Sequence, residues 1–136
     1  MKLAEFVNTM SFGILMGVRN KNSSFEVMNE NYARNFFFLP RVICADGFSI
    51  SIQVNKTNYC ESENGTRQFG TEWKSVEWGF PSEEIDAEKY NAEDESNTMV
   101  TVGGYVDMGV MEELIAEHGG IDLQKTLKEH MAKYDK

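Results

Sequence analysis

The sequence predicts a single α+β domain, an antiparallel sheet of about four or five strands with two C-terminal helices packed on one face. Three observations predict it. Phe48, Ile50, Ile52 and Val54 alternate with Ser49, Ser51, Gln53 and Asn55, the period of a strand with one buried and one wet face. Asp46-Gly47, directly before that run, is a strong hairpin signal. From Asp107 onward the apolar spacing becomes helical. The chain has 136 residues, 41% hydrophobic and 12% aromatic, which suits one folded domain and excludes full disorder.

In chain order, Leu3, Phe6, Val7 and Met10 recur at helical spacing and allow a short N-terminal helix. Gly13 and Gly17 flank Ile14, Leu15 and Met16, readable as a short strand or a buried turn, and 20–24 is a polar loop. Asn35-Phe36-Phe37-Phe38-Leu39-Pro40 is apolar on both faces and predicts a strand buried on both sides, ending at Pro40. Arg41 to Ala45 and the run from Phe48 form the hairpin, and Asn64-Gly65 marks a second turn. Trp73 to Phe80 predicts a third strand, with Val76, Trp78 and Phe80 on one face and Trp73, Ser75 and Glu77 on the other, stopped by Pro81. Ser82-Glu83-Glu84-Ile85 has the acids that favour the start of a helical turn. Thr98 to Tyr105 predicts a fourth strand with a bulge or close approach at Gly103-Gly104. Asp107 caps a helix over 108–118 with Val110, Met111, Leu114 and Ile115 on its apolar face, ended by Gly119-Gly120. Asp122 caps a second helix with Leu123, Leu127, Met131 and Tyr134 in one stripe. The single domain, 1–136, thus divides into an N-terminal extension over 1–34, a β-rich core over 35–106 and a helical part over 107–136.

The net charge of −9 is unevenly placed. Residues 82–120 hold eleven acids and one base, net −10, and the rest of the chain is close to neutral. An acidic chain is a poor direct binder of nucleic acid, whose phosphates need a basic surface. No stretch approaches the roughly 20 apolar residues of a membrane span. The start of the chain, with Asn, Thr, Ser and Gly breaking its apolar run, makes a poor signal peptide, so a cytoplasmic setting with reduced Cys44 and Cys60 is expected. The N-x-Ser/Thr triplets at Asn22, Asn55 and Asn64 then carry no meaning.

The residues argue against catalysis. His118 and His130 sit at or near helix ends, where histidines usually meet the last carbonyls. Cys44, beside Val42, reads as a small core hydrophobe, while Cys60 has no evident base. Gly103-Gly104 lacks the Lys-Ser/Thr of a phosphate loop. Neighbouring carboxylates such as Glu83-Glu84 and Glu112-Glu113 point apart on a helix. No cofactor or metal is expected: the cysteines lack zinc spacing, and 91–97 lacks the spaced loop of a calcium site.

Three stretches taken together, 36–53 (FFFLPRVICADGFSISIQ), 76–84 (VEWGFPSEE) and 101–120 (TVGGYVDMGVMEELIAEHGG), resemble a group of small uncharacterised bacteriophage and prophage proteins. The resemblance spans residues 35 to 120 and implies an accessory protein working in the host bacterial cytoplasm, with no catalytic residue to carry over. Together with the charge, it leads to an expectation of binding: an acidic surface of Glu83, Glu84, Asp86, Glu88, Glu93, Asp94, Glu95, Glu112 and Glu113 docking on a basic host protein or nuclease complex, and so inhibiting host defence in the manner of an anti-CRISPR or anti-restriction factor. Three alternatives stand beside it. The carboxylates form a solvated surface that aids solubility. The chain is a sponge for a signalling nucleotide, stacking the base on Tyr59, Trp73 or Trp78 with Arg41, Lys56, Arg67 or Lys74 nearby. Or it is a virion assembly protein or a homodimer, using Trp73, Tyr59 and the Phe run as an interface.

Overall fold

The computed structural model describes residues 1–10, 38–66 and 72–132. Four strands, β1 (Val42–Ile43), β2 (Ser49–Gln53), β3 (Ser75–Gly79) and β4 (Val102–Asp107), form one antiparallel sheet in sequential order. Helix α1 covers 3–10, and α2 (Met108–Glu117) and α3 (Leu123–Ala132) follow the sheet. The expected α+β class with an N-terminal and two C-terminal helices is what the chain adopts.

The hairpin forms as its turn chemistry dictates. Gly47 N donates to Cys44 O and Cys44 N to Phe48 O, while Gly47 takes φ +96°. That is a three-residue loop with glycine at the left-handed bulge position. Asp46 Oδ1 accepts from Phe48 N at 2.9 Å and locks the turn. Along β2 and at its two flanks, Phe48, Ile50, Ile52 and Val54 are buried, and burying each such side chain contributes about 1.5–3 kcal/mol. Asn55, expected on the wet face, is fully buried, because the strand ends at Gln53 and the Asn55 carboxamide turns inward to accept from Thr57 N, Thr57 Oγ1 and Asn58 N.

The core lies between the sheet and the helices. Val42, Ile50, Val76, Trp78 and Val106 meet Leu3, Phe6 and Val7 of α1 and Met111, Leu114 and Ile115 of α2 in one buried cluster. Asp107 caps α2 through bonds from Gly109 N and Val110 N, as its position predicts. Both sheet edges are covered. Beside β1, Cys44 bridges Ile121, and Asp122 N donates to Ile43 O at 2.8 Å. Beside β4, Ala92 bridges Gly103 and Glu93 N donates to Val102 O at 2.9 Å. Neither edge is left as an open template for further strands.

Several expectations are corrected. Thr98–Val100 is a 3₁₀ turn capped by Asn97, so the fourth strand begins at Val102. Glycines do mark a bulge: Val76 pairs with Val106 but Trp78 with Gly103, leaving one extra residue in β4. The third strand is shorter than Trp73–Phe80, and its ends reverse the expected faces. Trp73 and Ser75 are buried, whereas Phe80 is exposed with φ +51°. Phe80 leaves the ladder because its left-handed backbone turns the chain outward, whereas Trp73 and Ser75 are covered by the 61–62 segment, where Ser62 bridges Trp73 and Glu61 N donates to Ser75 Oγ at 2.8 Å. No helix opens at Ser82; a turn instead forms around 87–91, where Asp86 Oδ1 accepts from Glu88 N and Lys89 N. On α3 the residue fully buried is Thr126, not the apolar stripe: Leu123 and Leu127 are half-buried and Met131 is exposed. Phe38 is exposed too, against the expected two-sided burial of its run. The expectations for 13–17, 20–24, 35–37 and Tyr134 lie outside the described residues.

Candidate functional site

The sequence motifs converge at one end of the sheet. Ser49 follows the hairpin turn, and its N–H donates to Ser82 Oγ (2.9 Å) while its carbonyl accepts from Ser82 N (2.8 Å). Arg41 reaches the same place, its Nε donating to Ser49 Oγ at 3.0 Å and its Nη2 to the carbonyls of Ser49 and Phe80. Partial burial of Arg41 lowers its pKa below the ordinary guanidinium value. The C-terminus of α2 closes the junction. Asp46 N donates to His118 O and Ala45 N to Gly120 O, and the His118 ring stacks on Phe48 with centroids 4.0 Å apart. Gly119, at φ +89°, passes so near Ala45 that an added Cβ would lie 2.9 Å from its methyl group.

His118 is a clamp between two carboxylates. Its Nδ1 lies 2.6 Å from Asp46 Oδ2 and its Nε2 lies 3.5 Å from Glu83 Oε1. A carboxylate only accepts, so Nδ1 carries the proton toward Asp46. The Phe48 N–H and the His118 ring hold the Asp46 carboxyl below its ordinary range.

Beside the clamp runs an acidic groove of about 470 Å³, lined by Glu83, Glu84, Ile85, Asp86, Lys89, Tyr90, Leu114, Glu117 and His118. Its wall is anchored. Tyr90 is buried and its carbonyl accepts from Trp78 Nε1 at 2.7 Å, and Ile85 N donates to Thr98 Oγ1 at 2.9 Å. Lys89, the one lysine of the lining, pairs with Glu113 (Nζ–Oε2 3.6 Å). The carboxylates of Glu83, Glu84, Asp86 and Glu117 therefore give this concave surface a negative field.

Of the nine acids expected on the docking surface, the groove gathers Glu83, Glu84 and Asp86, and Glu113 stands beside it through Lys89. Glu88, Glu93, Asp94 and Glu95 are exposed but do not line it. Asp94 is occupied in a local turn with Ser96, whose bonds hold its carboxyl low. Glu112 serves the fold, its Oε2 accepting from Leu3 N at 2.7 Å at the start of α1, where the helix dipole favours a carboxylate. Sequence reasoning missed Glu117 and Asp46, and placed His118 merely at a helix end. The Asp46–Phe48 and His118-Gly119 pairs in the motifs are the signal that joins them.

Other candidates change character. Cys44 is buried, and burial pushes its thiol up to about 11, away from the reactive thiolate. Cys60 is buried too, with its Sγ donating to Asn55 O at 3.3 Å. Trp73 and Trp78 are core residues and offer no face to a base; Arg41 is engaged with Ser49 and Phe80, and Arg67 lies outside the described residues. Asn55 is too deep to accept a glycan. Among the described residues, no three His, Cys, Asp or Glu side chains are set to share a metal ion, and no helix is long and apolar enough to cross a membrane.

Compared with protein-family models, curated proteins and solved structures, the chain matches none of them.

Proposed function

We propose that this protein acts by binding, as a phage accessory protein that docks its acidic groove on a basic host protein and so inhibits a nucleic-acid-binding defence complex. The observation that carries the reading is the groove itself. Carboxylates from the 83–86 loop and from Glu117 of α2 face one concavity whose wall is fixed to the core through Tyr90 and Trp78. Such an array suits a surface that normally receives phosphates, and its field speeds encounter with a basic partner. A merely solvated loop has no need of a buried tyrosine and a tryptophan bond to hold it in place.

The test is affinity capture from host lysate, repeated after nuclease treatment, with two charge-reversal triples. E83K/E84K/D86K should weaken binding of the captured basic protein tenfold or more, about 1.4 kcal/mol or above. E93K/D94K/E95K, outside the groove, should weaken it less. Equal capture by wild type and both triples would sink the reading.

A further inference from the structure

The loop after β3 and the 3₁₀ turn before β4 are stitched together at both ends. Phe80 N donates to Thr101 O at 3.0 Å, and Ile85 N donates to Thr98 Oγ1 at 2.9 Å. Three large apolar side chains within this frame are left to solvent: Phe80 is 52% exposed, Met99 40% and Val100 66%. Glu83 and Glu84 stand on the same loop, exposed, between the two stitches.

Phe80 is the unusual member. Its φ is +51°, a conformation that bulky residues avoid, and it precedes Pro81, a position normally held extended. The surroundings impose this, since its N–H bonds Thr101, its carbonyl accepts from Arg41, and Ser82 is bonded twice to Ser49. Glycine would meet the backbone requirement at less strain. The phenyl ring is half in water, so within this chain it returns little burial for the strain. A strained backbone that displays an apolar ring points to use of the ring outside the chain.

We propose that Phe80, with Met99 and Val100, is the apolar anchor of the docking surface, and that its occupant is a basic amphipathic helix of a partner protein. The apolar face of that helix covers the three side chains while its Lys and Arg residues reach Glu83, Glu84 and the groove beyond. An apolar centre with a charged rim is the usual anatomy of a protein interface. The inference rests on the acidic groove being a docking site for a basic partner, and it adds what that partner must present.

The test uses three labelled synthetic helical peptides and fluorescence polarisation: one with a Leu/Trp face flanked by Lys and Arg, one with the same face flanked by Glu, and one basic peptide with Ser in place of Leu and Trp. The wild-type chain should bind only the first. The F80G variant should unfold at the same temperature as wild type or higher, and bind that peptide at least tenfold more weakly. A clearly lower unfolding temperature for F80G would place the ring in service of the fold and overturn the anchor. So would F80G affinity within twofold of wild type, equal binding of the basic Ser peptide, or a wild-type dimer that F80G dissociates. In those cases loss of binding in E83K/E84K/D86K still upholds the acidic groove. Binding of the Glu-flanked peptide as tightly as the basic one, or of no peptide at all, overturns both.

Discussion

At Gly103 the lack of a side chain is what makes room for Trp78. An added Cβ there would sit 2.5 Å from Trp78 Cε2 and Nε1, and Trp78 is held in place by its bond to Tyr90 O. Gly103 is not in a left-handed conformation, so the requirement is purely one of space. G103A is therefore expected to cost about 2 kcal/mol through overpacking, read as a lower urea midpoint at unchanged slope. The glycine pair is visible in the sequence as a bulge or close approach, but which ring approaches is not. The faces of Trp73 and Phe80 are misread because alternation presumes a regular ladder open on one side: φ +51° at Phe80 ends the ladder, and Ser62 bridges Trp73 at its other end.

Among elements, α3 shows how little its own pattern decides. Its stripe of Leu123, Leu127 and Met131 suggests a core-facing helix, yet Thr126 is the residue that docks it. Thr126 Oγ1 accepts from Ile43 N at 3.0 Å and donates to Ile43 O at 3.3 Å, satisfying the free side of β1. T126V keeps the shape but leaves the Ile43 N–H without that acceptor, at an expected cost of about 1–3 kcal/mol. T126S should recover most of it, and urea unfolding of the pair checks both. The partners are 83 positions apart, so no local spacing could announce them. The α2 cap, by contrast, was legible because Asp107 binds its own next residues.

For the molecule as a whole, the junction of hairpin, loop and α2 through Asp46, His118 and Glu83 links stability to pH. The Asp46 carboxyl is held below its ordinary 3.8, so the ionised form is favoured in the fold. Its stabilisation is present above that unfolded value and is lost as pH falls through the lower folded value. The wild type should lose unfolding temperature steeply below pH 4, and D46N, which has no carboxyl to protonate there, should show a shallower acid slope. Equal slopes in thermal scans would remove Asp46 from the acid response. The charge on this scale is equally selective. The −10 of residues 82–120 is a property of the chain, but only part of it faces the groove, and Glu112 is spent on α1.

By itself the sequence determined the α+β class, the Asp46-Gly47 turn, the β2 alternation, a bulge or close approach at Gly103-Gly104, the Asp107 cap and the stretch in which the negative charge is concentrated. Each is written within a few residues, because turns, caps and periodicity are short-range physics. Only the tertiary structure decided which acids share a concave surface, that Asp46 and Glu83 meet across His118, and that Phe80 stands strained and exposed beside them. Those relations join residues up to 72 positions apart. They follow from how the sheet, loop and helix pack as one body, which local propensity does not encode.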